Sequence, residues 1–167
     1  MCGIAGVFHH QTDREINPQT LVNMAAIMHH RGPDGFGYKI QPERGVGFSH
    51  ARLSIIDLDE NRGRQPFMSA DKRLMLTHNG EFYDFKRIRA DLTARGARFN
   101  SKSDSEIVLH LFERYGMEDT LKELRGEFAF GLFDAKDDSL YLVRDRFGIK
   151  PLYWTETEHG VVPASNV

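Results

Sequence analysis

The stretch Glu127-Phe128-Ala129-Phe130-Gly131-Leu132-Phe133 constrains the fold of this chain more than any other. Its alternation puts Phe128, Phe130 and Leu132 on one side of a strand, and Ala129, Gly131 and Phe133 on the other. Both sets are apolar, so both sides need cover. Asp134 to Ser139 reads as a polar turn and Leu140 to Val143 as the returning partner strand. Two layered solutions satisfy a sheet of this kind: helices flanking one sheet, or two sheets stacked between helices. Periodicity alone leaves both open.

The rest of the chain supplies the other layers. Cys2 to Phe8 reads as a short buried strand, with glycines where something approaches closely. Asn17-Pro18 offers an N-cap and a first-turn proline for a helix carrying Leu21, Met24, Ala25 and Met28 at helical spacing. Arg31 to Gly35 is turn-rich, Gly45 to Ile56 strand-like, and Glu60 to Gln65 a polar loop. Leu74 to Thr77 is a strand running into Asn79-Gly80. Phe85, Ile88 and Leu92 form a helical stripe that Gly96 can end. Ser103-Asp104-Ser105-Glu106 has the form of a capping box, opening a helix through Leu109 and Phe112 to Gly116. Leu121 and Leu124 suggest a further short helix, and Leu152 to Trp154 and Val161-Val162 later strands.

Composition narrows the class. With 167 residues the chain suits one domain. A net charge of −2 gives no electrostatic drive toward nucleic acid or anionic membranes. No apolar run approaches the ~18 residues of a membrane span, and no secretory signal opens the chain. A single cysteine cannot form an internal disulfide, which suits the cytoplasm. The histidine pairs His9-His10 and His29-His30 lack metal-ligand spacing, so no metal is expected. Gly32-Pro33-Asp34-Gly35 lacks the lysine and preceding strand of a phosphate loop, so no ATP site is expected here.

Cys2 is the first chemical candidate. A small second residue permits removal of Met1, which would place a thiol and a free α-amine on one residue. At pH 7 a thiol of pKa ~8.5 is only about 3% thiolate, whereas an amine near ~7.8 is roughly 14% neutral and can accept a proton. The plainer reading is a small buried residue in a first strand. Asn79 and Gly80 can donate to an oxyanion from side chain and backbone, or can form a simple hairpin turn. Arg52, in an otherwise apolar segment, needs a carboxylate, which could belong to a substrate or to a structural ion pair. Asp104 lies in the first turn of a helix, where a negative charge is favourable without any other role.

Together these segments resemble class II glutamine amidotransferases. The resemblance rests on Met1-Cys2-Gly3-Ile4-Ala5-Gly6, Arg31-Gly32-Pro33-Asp34-Gly35, His50-Ala51-Arg52-Leu53-Ser54-Ile55 and Asn79-Gly80-Glu81-Phe82-Tyr83. Ser103 to Glu106 and Arg144-Asp145-Arg146-Phe147-Gly148-Ile149-Lys150-Pro151-Leu152-Tyr153 agree, and the set narrows the likeness to the asparagine synthetase type. It implies an α+β, four-layer αββα N-terminal-nucleophile fold, with two stacked, mainly antiparallel sheets flanked by helices. It also implies a glutaminase in which Cys2 attacks the side-chain amide of glutamine and Asn79 and Gly80 hold the oxyanion. Arg52 would take the α-carboxylate, and Glu81 and Asp104 the α-ammonium. His30, Arg31 and Arg144-Asp145-Arg146 would be framework or face a second domain.

The resemblance further implies that residues 2–167 form a glutaminase domain shortened at its C-terminal end. Around Pro163 to Asn166, relatives continue into a helix and then an ATP- and Mg-dependent synthetase domain absent from this sequence. That domain or subunit is the expected partner, and asparagine synthesis the expected destination of the ammonia. Two other readings are carried: a non-catalytic interaction or regulatory domain, and delivery of ammonia to a sugar or natural-product carboxylate.

Overall fold

Asn17 caps the first helix as its side chain predicts, accepting from the Gln19 N–H at 2.9 Å, and Pro18 opens it. In the computed structural model of the chain, residues 1–11, 14–57, 59 and 61–166 are described. Glu60, the first residue of the expected polar loop, and Val167 lie outside them. In chain order the elements are β1 (Gly3–His9), α1 (Pro18–Ile27), β2 (Gly35–Gln41), β3 (Val46–Arg52), β4 (Phe67–Met68) and β5 (Leu74–Phe82). They continue with α2 (Phe85–Ala94), α3 (Ile107–Glu123), β6 (Gly126–Asp134), β7 (Ser139–Arg144), β8 (Tyr153–Thr157) and β9 (Gly160–Ala164). Short 3₁₀ turns at Pro42–Arg44 and Asp104–Glu106 precede β3 and α3.

The strands form two antiparallel sheets, ordered β2-β3-β1-β9-β8 and β4-β5-β6-β7. They stack face to face, and Val46 and Phe48 of the first meet Met75 and Phe133 of the second. Glycines make room for this contact. A Cβ on Gly6 would come within 2.5 Å of the Phe48 ring, and one on Gly131 within 3.4 Å. The other face of β6 carries Phe128, Phe130 and Leu132 into the largest cluster, with Ile88 and Leu92 of α2 and Ile107, Leu111 and Phe112 of α3. Leu21 and Met28 of the α1 region cover Val7, Ala5 and Ala51 on the outside of the first sheet. The two-faced strand thus ends up between a helical layer and a second sheet. The architecture is α+β with αββα layering.

Several local readings need correction. Asn79-Gly80 is no turn: both lie inside β5, opposite Ala129 and Phe128 of β6. The capping box does not close. Ser103 accepts from the Ser105 N–H, but Glu106 takes the N–H groups of Asn100 and Ser101 instead of that of Ser103. The stop at Gly116 needs no correction: at φ 73° and ψ 179° it is non-helical and divides the span of α3 into two helical segments, the second being the further short helix expected there. Strand β3 stops at Arg52, short of Ile56. The strand β2 was missed because, as an edge strand exposed along much of its length, it lacks an alternating apolar pattern.

Candidate active site

β1, β3 and β5 bring their ends to one cleft, a cavity of about 150 Å³. Cys2, Arg52, Asn79, Gly80, Glu81 and Asp104 all line it. Residues separated by up to about a hundred positions are therefore gathered at one site.

Cys2 stands immediately before β1, and the backbone of Leu53 holds its thiol. The Leu53 N–H donates to Sγ at 3.4 Å and the Leu53 carbonyl accepts from it at 3.6 Å. Arg31 Nε donates to the Cys2 carbonyl at 3.1 Å, so this expected framework residue fixes the backbone at Cys2. Burial pushes the thiol pKa up. The hydrogen bond to Leu53, the N-terminal charge and Arg52 act in the other direction. Met1, half exposed, also lines the cleft.

Arg52 closes β3 and is only 7% exposed, with its guanidinium donating to the Asp57 carbonyl. Strand β3 passes into a Leu53–Asp57 wall that other segments tie down. Asp34 accepts from the Ser54 N–H at 2.7 Å and Asp57 from the Lys102 N–H at 2.8 Å. Asp104, 3% exposed, begins the 3₁₀ turn before α3 and accepts from the Phe82 N–H at 2.9 Å. Burial raises its pKa, opposed by the hydrogen bonds it accepts from Phe82, Ser105 and its own backbone. Glu81 is exposed at the rim.

The edge of β5 is the most informative part. In an antiparallel strand, alternate residues turn both N–H and C=O to the same neighbour. The Tyr83 N–H reaches Arg125 on the β6 side, so even-numbered residues face the opposite edge. There Leu76 pairs with β4, His78 meets Gln65, and the Phe82 N–H meets Asp104. Gly80, between the last two, keeps its N–H turned to the cleft. Its φ of +148° suits glycine, and a Cβ there would lie 2.0 Å from the Glu127 carbonyl. Next to it, Asn79 is 1% exposed, and its Nδ2 has no hydrogen-bond partner among the described residues. A buried unpaired amide costs about 1–3 kcal/mol, so a carboxamide left in this state marks a place built for an acceptor.

Two buried histidines support the floor. His50 Nε2 donates to the His78 carbonyl at 3.2 Å, and His78 Nδ1 lies 2.7 Å from Ser105 Oγ. His78 also stacks on Phe82 at 4.6 Å. Burial lowers the pKa of each to about 3, so both are neutral. The linkage has a definite sign. Below pH 6.5 the unfolded chain binds protons at these positions and the folded chain does not, so stability falls with pH until about 3. We expect a loss of up to ~1.4 kcal/mol per pH unit for each histidine between pH 6.5 and 4. Asp104, with its raised pKa, opposes this in the lower part of that window. Urea midpoints at pH 7.5 and 5, with His50→Gln as the control of smaller slope, check it.

The chain matches the glutamine amidotransferase domain family over residues 1–167. It belongs to that family. It is 38% identical to asparagine synthetase [glutamine-hydrolyzing] 2 of Bacillus subtilis, covering 100% of this chain and 22% of that protein. Identity is 39% to asparagine synthetase B of Escherichia coli, over 96% of this chain and 28% of the relative. It is 37% to the amidase chry2 of Gibberella zeae, over 100% of this chain and 26% of the relative. The chain thus spans about a quarter of the length of these curated relatives. In structure it resembles the glutamine phosphoribosylpyrophosphate amidotransferase of B. subtilis, with a TM-score of 0.77 over 98% of this chain and 42% of the other. At 22% identity that likeness shows the shared fold.

Within this amidotransferase domain, sequence reading missed Gln65, His50, His78 and Lys150 as pocket residues. His50 lies two positions before Arg52, on the same strand face, which was a usable signal. Lys150 is set beside the cleft by Asp145, which accepts from the N–H groups of Phe147, Ile149 and Lys150, and it pairs with Glu127 at 2.9 Å. Nothing local marked Gln65. No helix among the described residues is long and apolar enough to cross a membrane, and they hold no cluster suited to a metal ion.

Proposed function

We propose that this domain hydrolyses glutamine to glutamate and ammonia through a glutamyl thioester on Cys2. One observation carries the reading: the unpartnered Asn79 Nδ2 and the outward Gly80 N–H share a cleft with the Cys2 thiol. After removal of Met1, the neutral α-amine of Cys2 takes the thiol proton and Sγ attacks the side-chain carbonyl carbon. The carbonyl oxygen becomes an oxyanion held by Asn79 and Gly80. Its collapse breaks the C–N bond, and the new α-ammonium returns the proton to the departing ammonia. Water, deprotonated by the same amine, then cleaves the thioester, restoring the thiol and releasing glutamate. Arg52 holds the α-carboxylate of glutamine, and Asp104 with Glu81 the α-ammonium. The chemistry requires no metal or nucleotide from these residues.

The ammonia is proposed to serve an ATP-dependent synthetase domain or subunit of asparagine-synthetase type in the cytoplasm. Support comes from the two synthetases above and from a single cysteine that needs no oxidising compartment. The similarity to an amidase keeps a second acceptor class in view, because this domain contains only the glutamine half of the reaction. The test is simultaneous release of glutamate and ammonia in equal amounts from glutamine alone. Absence of both from folded, processed protein would sink the reading.

A further inference from the structure

Strand β4 is only two residues long, yet β5 must hold its edge well beyond it. Phe67 pairs with Leu76 and Met68 with Met75. Carried back two residues, the same register sets Gln65 opposite His78. The backbone of β4 does not reach that far, but the Gln65 side chain does. Its Oε1 accepts from the His78 N–H at 2.6 Å, and its Nε2 donates to the His78 carbonyl at 3.1 Å. One primary carboxamide reproduces the paired bonds of an antiparallel neighbour. Gln65 is 6% exposed and lines the cleft. Its own carbonyl is packed so closely against β2 that a Cβ on Gly37 would lie 2.1 Å from it.

We propose that Gln65 is a positioning residue: its carboxamide clamps His78 and so fixes the β5 edge that presents Asn79 and Gly80 to the cleft. His78 immediately precedes both donors along the strand, so freedom at its peptide groups is freedom in where they aim. Gln65 takes no part in bond making, and among the described residues its side chain hydrogen-bonds to His78 and to neither Cys2 nor Asn79. The His50–His78 contact adds a second donor at the same carbonyl and leaves the N–H entirely to Gln65. The catalytic consequence rests on the glutaminase reading; the clamp itself does not.

The experiment pairs Gln65→Met, which removes both bonds and nearly preserves volume, with Gln65→Ala, which removes volume as well. Three properties are read in the processed chain: amide hydrogen exchange at His78 by NMR, kcat and KM for glutamine, and the rate of Cys2 alkylation by iodoacetamide. In Gln65→Met, exchange at His78 is expected to quicken by at least about tenfold. The kcat should fall by about 10- to 100-fold, the scale of a small misplacement of catalytic groups. KM should stay within about threefold and alkylation within about twofold, since Arg52, Asp104 and the thiol are untouched. Gln65→Ala should be no more than about threefold worse in kcat. Unchanged exchange in Gln65→Met overturns the clamp. Wild-type kcat despite faster exchange, or recovery of kcat in Met relative to Ala, overturns its catalytic role in favour of packing. If wild-type protein alkylates at Cys2 but releases no ammonia, the glutaminase reading fails and the catalytic role with it. Faster exchange would then support the clamp as a structural feature alone.

Discussion

Replacing Cys2 by alanine is expected to lower glutamine hydrolysis by at least ~10⁴-fold, the scale seen when a nucleophile is removed from a site whose groups act as a unit. The fold should survive, because Cys2 precedes β1 and is not part of any core cluster. The lost contact is the pair of weak hydrogen bonds to the Leu53 backbone. Glutamine binding should persist, since Arg52 and Asp104 are the residues proposed to hold the opposite end of the substrate. Calorimetric titration of Cys2→Ala with glutamine, beside an ammonia assay, separates the two functions. Burial makes the argument sharper. It raises the thiol pKa, so very little thiolate exists at neutral pH and attack depends on a base within reach. Both nearby pocket histidines are poor bases, because burial lowers the pKa of each to about 3. The proposed base is the α-amine of Cys2 itself.

Asn79→Ala should lower kcat by ~10²–10³-fold with KM changed by no more than about threefold. The amide nitrogen is buried and has no partner among the described residues, so its deletion breaks no hydrogen bond made by Nδ2 and should cost little stability. That combination is unusual for a buried polar residue. A residue serving structure would lose several kcal/mol and keep its rate. Steady-state kinetics and a urea midpoint, measured on the same preparation, distinguish the two. Asn79→Asp is a useful companion, because it would place a negative charge where the oxyanion forms and should be at least as damaging.

The need for cover on both faces was legible in β6, but not whether a helical layer or a second sheet supplied it, and the Asn17-Pro18 start of α1 formed as expected. Asn79-Gly80 shows where local reading stops. The dipeptide is equally suited to a hairpin, and only pairing with β6 over the whole of β5 keeps it extended. Its chemical role depends on which edge of the strand each N–H faces, a property of register that no single segment encodes. Glu106 shows the same limit, since the geometry of the Asn100-Ser101 loop, and not spacing, decided which N–H groups it receives. Arg52 was visible as a candidate because a charge is out of place in its apolar segment, whereas Cys2 and Asp104 each had an ordinary local reading and stood out only through the resemblance of the whole motif set. Gln65 was invisible: a glutamine in a polar loop is ordinary until the register of β4 sets it against His78.

The central claim is that Cys2 works as the first residue, with its own amine as base. The most direct measurement is the rate of glutamate and ammonia release by two preparations of the chain, one starting at Cys2 and one retaining Met1, each verified by intact mass. The processed form should hydrolyse glutamine, and the Met1 form should be slower by at least ~10²-fold, the contribution of a positioned general base. In the latter the amine is an amide and Met1 occupies part of the cleft wall. Equal rates from the two preparations would contradict the account.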